Sequence, residues 1–396
     1  MNEIFITIFF ISLLLFLLGS GVWVALSMIA VSAIGMMLFT TRPVGDAMAT
    51  TIWGTSSSWT LTALPLFVWM GEILFRTKLS ENLFKGLSPW LSKLPGGLIH
   101  VNVVGCGLFA AISGSSAATV ATVGKMSIPE LRKRKYPEKI LLGSLAGSGT
   151  LGLLIPPSII LIIYGVTIED SIAKLFMAGI FPGIMLAIIF MLYVVIWSVL
   201  NKNLMPKISE NFSFLEKVKR SKQLLPVVLL IFAVIGSIYT GIATATEAAS
   251  LGVVGALILS LFQGTLNKNS FKLSLLGATK TSCMIAFILA GSTFLSLAMG
   301  FTGLPRNLAI WIQELNLSPY MLIFILTIFY IILGMFLDGI SAVVLTMAII
   351  EPMIRQAGFD MIWFGIYLVI VVEMAQITPP VGFNLFVLQG MANRDM

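Results

Sequence analysis

Long apolar runs recur along the chain, and short polar or glycine-rich breaks separate them. In the first half these runs lie at residues 4–18, 22–40, 61–75, 140–165 and 175–200. In the second half they begin at about residue 229 and lie at 247–265 and 286–300. A helix needs about 20 apolar residues to cross about 30 Å of hydrocarbon. The pattern therefore predicts an all-α polytopic membrane protein.

One apolar segment, residues 98–124, does not fit a simple crossing. Basic residues flank it on both sides, so the positive-inside rule places both flanks in the cytoplasm. Its 27 residues are too few for two crossings of about 20 residues each. We therefore predict a re-entrant hairpin at about 98–124. Its tip is the polar sequence Ser113, Gly114, Ser115 and Ser116.

The second half repeats these features at an offset of 225 residues. Gly114 and Ser116 correspond to Gly339 and Ser341, which predicts a second hairpin at about 320–351. Its flanks carry little charge, as expected on the opposite face of the membrane. Each half then has an odd number of crossings. We predict two inverted-topology repeats, at 1–200 and 223–396, joined by a basic cytoplasmic linker at 201–222.

A pair of adjacent prolines follows each predicted hairpin. The pairs are Pro156–Pro157 and Pro379–Pro380, and they predict broken transmembrane helices at about 140–165 and 361–390. A break leaves one end with free carbonyls, which suit a cation, and one with free amides, which suit a carboxylate. A simple kink is the alternative interpretation.

The composition agrees with a membrane protein: 58% of residues are hydrophobic and 10% are charged. The formal net charge is +7, but the basic residues cluster in predicted cytoplasmic loops, so the charge does not indicate nucleic-acid binding. Residues 4–18 have no basic leader and no cleavage site, which favours a retained helix. Cys106 and Cys283 lack CxxC spacing and are expected to be packing residues.

Five segments are distinctive in their order: TALPLFVWMGEILF, FAAISGSSAATVATVG, GSGTLGLLIPPSIILIIYG, FLDGISAVVLT and QITPPVGFNLFVLQG. Together they resemble the large membrane subunit of TRAP (tripartite ATP-independent periplasmic) transporters, within the ion-transporter superfamily. The resemblance implies an elevator-type symporter in the bacterial inner membrane, surrounded by lipid. Sodium would drive uptake of an organic acid, such as a C4-dicarboxylate or a sialic acid. No cofactor is implied beyond the coupling sodium ions.

The resemblance also implies two partners and a set of binding residues. The partners would be a periplasmic binding protein that delivers the acid and a small four-helix membrane subunit, here a separate chain. The first sodium site would comprise Ser113, Ser116, Gly149, Gly152 and Pro156. The second would comprise Gly339, Ser341, Met374, Gln376 and Thr378. The substrate region would comprise Ser115, Pro157, Ser158, Asp338, Pro380, Gly382 and Asn384. These small residues could instead serve only close helix packing.

Few ionisable residues fall inside the apolar runs, and each has two interpretations. Asp338 is either a cation-linked carboxylate or an interfacial cap. Glu72, Glu247 and Glu373 are costly at depth unless they are paired or lie in a cavity. Of these three, Glu373 is the best functional candidate. His100 is expected to be a hydrated interfacial residue and not a proton relay.

The sequence leaves two alternatives open. A stand-alone ion-coupled carboxylate transporter or antiporter of the same superfamily would need no binding protein. A membrane-embedded enzyme is disfavoured because the chain has one histidine and no acidic metal-binding motif. Finally, at the offset of 225 the chain ends before a copy of the helix at 175–200. The second repeat is therefore expected to lack its last helix and to leave a groove there.

Overall fold

The computed structural model describes residues 3–77, 79–206, 212–222, 224–303, 318–379 and 382–392. Regular structure in these residues is entirely helical. Five of the described helices are long and apolar enough to cross a membrane, or up to seven spans if each sharply bent helix pair is counted as one. The prediction of an all-α, multi-pass membrane protein is therefore confirmed.

We number the described helices in chain order. In the first half they are α1 (Glu3–Gly19), α2 (Val24–Phe39), α3 (Val44–Ser56), α4 (Ala63–Phe75), α5 (Leu79–Leu91), α6 (His100–Ser113), α7 (Ser116–Lys133), α8 (Glu138–Gly149), α9 (Leu151–Leu154), α10 (Ile159–Thr167) and α11 (Ile172–Leu200). In the second half they are α12 (Phe214–Ser221), α13 (Leu225–Tyr239), α14 (Ala245–Phe262), α15 (Lys268–Thr302), α16 (Pro319–Gly334), α17 (Gly339–Gln356), α18 (Met361–Gln376) and α19 (Phe383–Ala392).

The two halves pack in an exchanged pattern. The offset of 225 pairs α2 with α14, and α4 with the second part of α15. In the structure α2 packs against α15, and α4 packs against α14. Glycines allow the close approach: a Cβ on Gly252 would lie 2.5 Å from Met70 Sδ, and one on Gly291 would lie 2.9 Å from the Ala25 carbonyl oxygen. A twofold relation between halves produces such exchanged contacts; the inverted orientation stays a prediction.

Two helical hairpins lie where the small polar segments occur. In the first, α6 ends at Gly114, which has a φ of +58°, and α7 begins at Ser116. The second arm continues to Lys133, beyond the predicted end at 124, and its last turn is basic, which suits a helix carboxyl end. In the second hairpin, α17 begins after Asp338. The Asp338 Oδ2 accepts a hydrogen bond of 3.1 Å from the Ser341 amide, which makes Asp338 a helix cap.

Both proline pairs coincide with helix ends. In the first half, helical structure stops at Leu154 and resumes at Ile159. In the second half it stops at Gln376 and resumes at Phe383, while Pro380 lies outside the described residues. The first break packs on the first hairpin tip, because the Ile159 amide donates a 3.3 Å hydrogen bond to the Gly114 carbonyl.

Two acidic or basic residues lie in other environments than the sequence suggested. His100 is fully buried, and its Nε2 lies 2.7 Å from the Pro95 carbonyl oxygen, so the expectation of a hydrated interfacial histidine is wrong. The reason is a tertiary contact: α11 passes close by, at Val194 and Ser198. Glu247 is exposed and completes a capping box at the start of α14, so it has no burial cost to offset.

Candidate functional site

One cavity of about 1360 Å³ has both hairpin tips in its wall. The rest of the wall includes residues of α2, α4 and α15. The polar residues contributed by the tips and the second break are Ser113, Ser115, Ser116, Asp338, Ser341 and Gln376. Most of the remaining lining is apolar. A concave, mostly apolar space with a few convergent polar groups is typical of a small-molecule binding site.

The first hairpin tip is held by hydrogen bonds within its own turn. Ser115 caps α7 by accepting a 3.4 Å hydrogen bond from the Ala118 amide. The Ser113 and Thr119 hydroxyls lie 2.9 Å apart, and the Thr119 hydroxyl donates to the Ser115 carbonyl at 2.7 Å. Several oxygens are therefore concentrated at one helix end, beside the cavity.

Glycines of the first broken helix approach this tip closely. A Cβ on Gly152 would lie 2.6 Å from the Ser115 carbonyl oxygen and 2.6 Å from the Ser116 Cα. A Cβ on Gly149 would overlap Val120 Cγ2, on the same arm. The structure thus brings Gly149 and Gly152 against the hairpin that carries Ser113 and Ser116. Pro156, the other residue proposed for this site, is buried at the break.

The structure brings together only some of the residues predicted for the second sodium site. A Cβ on Gly339 would lie 2.5 Å from Gln376 Nε2, so these two residues are neighbours. Ser341 is buried and lines the cavity. The Met374 carbonyl, however, already accepts a 2.7 Å hydrogen bond from the Thr378 hydroxyl.

The two predicted sites meet at one contact between the halves. The Ser116 hydroxyl donates a 2.8 Å hydrogen bond to Glu373 Oε1 and lies 3.4 Å from Gln376 Oε1. Ser116 is on the first hairpin, and the other two residues are on α18. Glu373 is only 2% exposed, and its Oε2 has no hydrogen-bond partner among the described residues. A buried carboxylate oxygen without a partner is expensive in protein.

The residues predicted for the substrate region fall into two groups. Ser115 and Asp338 line the cavity. Among the described residues, the others lie outside its lining. Ser158 is fully buried and caps α10, accepting from the Leu161 amide at 3.3 Å. Pro157 is buried beside it, and Gly382 has a φ of +55° at the start of α19. Asn384 is fully buried, and neither of its side-chain polar atoms has a partner in the described part of the chain.

Two charged residues of the cavity wall were not assigned to it from the sequence. Lys280 lines the cavity from α15, and no ion pair involves it in the described residues. Glu72 lines it from α4, and its Oε2 pairs with Arg76 at 2.9 Å. Lys280 follows Lys268 and Lys272 and precedes the apolar run at 286–300, so its position in the sequence suggested a cytoplasmic loop and not a cavity wall.

A family model for the tripartite ATP-independent periplasmic transporter, DctM component, matches residues 10–396. The chain belongs to this family. It is therefore the large permease component of a TRAP transporter, as the five sequence segments indicated. In the described residues no cluster of His, Cys, Asp and Glu suitable for a metal centre occurs.

Relatives with known names are also transporter permeases. The chain is 34% identical over 366 residues to the C4-dicarboxylate TRAP transporter large permease protein DctM of Pseudomonas aeruginosa, covering 92% of this chain and 84% of that protein. It is 31% identical to the 2,3-diketo-L-gulonate TRAP transporter large permease protein YiaN of Escherichia coli, covering 87% and 81%. It is 32% identical to the isethionate TRAP transporter permease protein DctMQ of Oleidesulfovibrio alaskensis, covering 88% and 55%.

The fold is shared with a solved transporter. The YdaH transporter of Alcanivorax borkumensis superposes with a TM-score of 0.59 at 12% identity, covering 94% of this chain and 90% of that one. At this identity the likeness concerns the fold alone. It supports the all-helical transporter architecture described above.

Proposed function

We propose that this DctM-family chain carries out sodium-coupled uptake of an organic acid across the bacterial inner membrane. The cavity that both hairpin tips line carries this proposal. The tips, with the broken helices behind them, would form the mobile part of an elevator. The helices α2, α4 and α15 would form the static part. A binding space bounded by both parts can open to either face as one slides against the other.

Coupling to sodium is supported by the oxygen-rich first tip. Ser113 and Ser116, with the carbonyls of Gly149, Gly152 and Pro156, would form the first site. Gly339, Ser341, Met374, Gln376 and Thr378 would supply the second. Hydroxyl and carbonyl oxygens are hard ligands that can replace the water around a small cation. The close contact of Gly152 with the tip keeps these oxygens near one another.

An anionic substrate is supported by the wall of the cavity. Lys280 supplies a positive charge there without an ion-pair partner in the described residues. The named relatives transport C4-dicarboxylates, 2,3-diketo-L-gulonate or isethionate, all of which are organic anions. We propose a carboxylate that lies beside Ser115 and Asp338. Pro157, Ser158, Gly382 and Asn384 would shape the helix ends behind it.

Two partners complete the proposed transporter. A periplasmic binding protein would deliver the acid, and a small four-helix membrane subunit would bind the static part. The DctMQ relative is longer than this chain, which spans 55% of it.

Reconstitution tests the proposal directly. The chain is co-expressed with a small TRAP subunit, reconstituted in liposomes and supplied with an inward sodium gradient. Labelled carboxylates are offered with and without a candidate binding protein. We expect uptake only with both the sodium gradient and the binding protein. Uptake that is indifferent to the binding protein would favour the stand-alone transporter, and uptake indifferent to sodium would remove the coupling assignment.

A further inference from the structure

The contact between Ser116 and Glu373 joins residues 257 positions apart in the sequence, across the two halves of the molecule. It lies at the tip of the first hairpin and at the carboxyl-terminal end of α18. Gln376, one turn further along α18, reaches the same hydroxyl and lines the cavity. Three side-chain oxygens therefore converge where the two halves meet.

The Glu373 carboxylate is the unusual member of this group. It is 2% exposed, and no Lys, Arg or His side chain lies within ion-pair distance of it in the described residues. Its Oε1 accepts from Ser116, while its Oε2 has no partner. A buried carboxylate is stabilised by an opposite charge or by a bound cation. Protonation would also remove the charge, whereas a bound cation would offset the charge and give Oε2 a partner.

We propose that Glu373 is a direct, charged ligand of a coupling sodium ion, at a single site built by both halves. Ser116 and Gln376 contribute neutral oxygens to this site. The inference rests on the proposed sodium coupling, and it changes the ligand arrangement proposed above. Ser116 and Gln376, which were assigned to separate sites, bind one ion together with Glu373. Sodium would then offset the buried charge of Glu373. Because its ligands come from both elements, it would also stabilise the contact between the first hairpin and α18.

This arrangement has a consequence that a structural hydrogen bond would not have. Without sodium, the buried Glu373 must either keep an uncompensated charge or take up a proton, and at neutral pH both states cost free energy relative to the hydrated carboxylate of the unfolded chain. Removing the charge should therefore raise stability in sodium-free buffer. If the carboxylate only anchored Ser116, its removal would lower stability in every buffer.

The test uses the full chain purified in detergent with its co-expressed small subunit. Thermal unfolding is followed over a series of sodium chloride concentrations, with choline chloride keeping the ionic strength constant. Binding of radioactive sodium is measured on the same samples. The variants are Glu373→Gln and, as a matched control, Glu247→Gln, which makes the same change at an exposed cap. Glu373→Asp and Ser116→Ala provide further variants in case Glu373→Gln does not fold.

We expect sodium to stabilise the wild-type protein and the Glu247→Gln control equally. Glu373→Gln should be more stable than wild type without sodium and should need at least about tenfold more sodium for half-maximal binding. Glu373→Asp should keep part of the sodium response, and Ser116→Ala should weaken it. An unchanged half-maximal sodium concentration in Glu373→Gln would overturn the ligand assignment and leave sodium-driven uptake intact. A wild-type protein that binds no sodium would overturn both.

Discussion

Single glycines decide how closely the first broken helix approaches the hairpin tip. At Gly152 the neighbours of an added Cβ are backbone atoms of Ser115 and Ser116, which cannot rotate away as a side chain can. Gly143, on α8, is exposed and has no atom within 4 Å of an added Cβ. The two positions therefore separate the effect of tip packing from the general effect of replacing a helical glycine.

Gly152→Ala should displace the tip and lower the free energy of unfolding by about 1–3 kcal/mol. It should also weaken sodium binding, because the tip oxygens move. Gly143→Ala is the control, and it should raise stability by about 0.5–1 kcal/mol through higher helix propensity. Thermal unfolding in detergent measures both. Equal effects at the two positions would mean that the close contact at Gly152 has no energetic role.

Lys280 is the residue in the cavity wall best placed to attract an anion. Lys280→Ala should raise the KM for an organic acid by about tenfold with a smaller change in kcat, since the substrate loses one charge interaction. Lys272→Ala removes the same charge from the same helix at an exposed position outside the cavity lining, and it should leave uptake unchanged. Equal losses in both variants would point to a general effect of net charge.

At the scale of whole elements, the sequence predicted helices where the apolar pattern is strong. The predicted runs at 4–18, 22–40 and 61–75 overlap α1, α2 and α4. The hydropathy pattern did not predict α3, which is rich in Thr and Ser. It also did not predict α5, whose apolar residues follow an amphipathic pattern and not a continuous run. Helices of these two kinds depend on tertiary packing, which a hydropathy pattern does not contain.

The sequence predicted only part of the site, because local patterns do not show how distant helices pack. The tip serines and the break glycines are local signals, and the structure brings them together at Gly152 and Ser116. The contact of Ser116 with Glu373 depends on how two distant helices pack, and nothing in the local sequence specifies it. The burial of His100 beneath α11 has the same cause.

The first broken helix is joined to α18 by one buried hydrogen bond. The Tyr164 hydroxyl, at the end of α10, donates to the Met361 carbonyl at 2.7 Å. Tyr164 is 1% exposed, and its ring fills the space beside Gly365. Tyr164→Phe should cost about 0.5–1.5 kcal/mol of stability, since it keeps the ring and removes one buried hydrogen bond.

The control for this change is Tyr193→Phe, because Tyr193 lies on the exposed surface of α11. It should change the unfolding midpoint by much less than Tyr164→Phe does. Sodium-dependent uptake should persist in both variants, since neither residue lines the cavity. A Tyr164→Phe protein as stable as wild type would show that this bond does not hold the two elements together.

At the scale of the whole molecule, the exchanged packing of α2 with α15 and of α4 with α14 leaves one question, which is how each half lies in the membrane. Basic residues surround the open end of the first hairpin, whereas the open end of the second is weakly charged. The positive-inside rule then places the two open ends on opposite faces. Inverted repeats require this arrangement, and parallel repeats would exclude it.

Cysteine labelling tests this orientation. The exposed Cys283 is first replaced by Ser, while the buried Cys106 is kept. Single cysteines are placed at the open end of the first hairpin, by Lys93→Cys and Lys133→Cys, and of the second, by Ser318→Cys and Ala357→Cys. Lys133 is used because α7 ends there. A membrane-impermeant maleimide is applied to intact spheroplasts and to inside-out vesicles.

The first pair should react only in inside-out vesicles, because its open end is basic and cytoplasmic. The second pair should react only in spheroplasts. Agreement within each pair is the signature of a re-entrant hairpin, since a single crossing would separate the two members of a pair onto opposite faces. Labelling of the two pairs from opposite faces of the membrane is expected only if the two repeats are inverted. If all four cysteines reacted from one side, the two halves would be parallel, and an elevator built on inverted repeats would have to be abandoned for this chain.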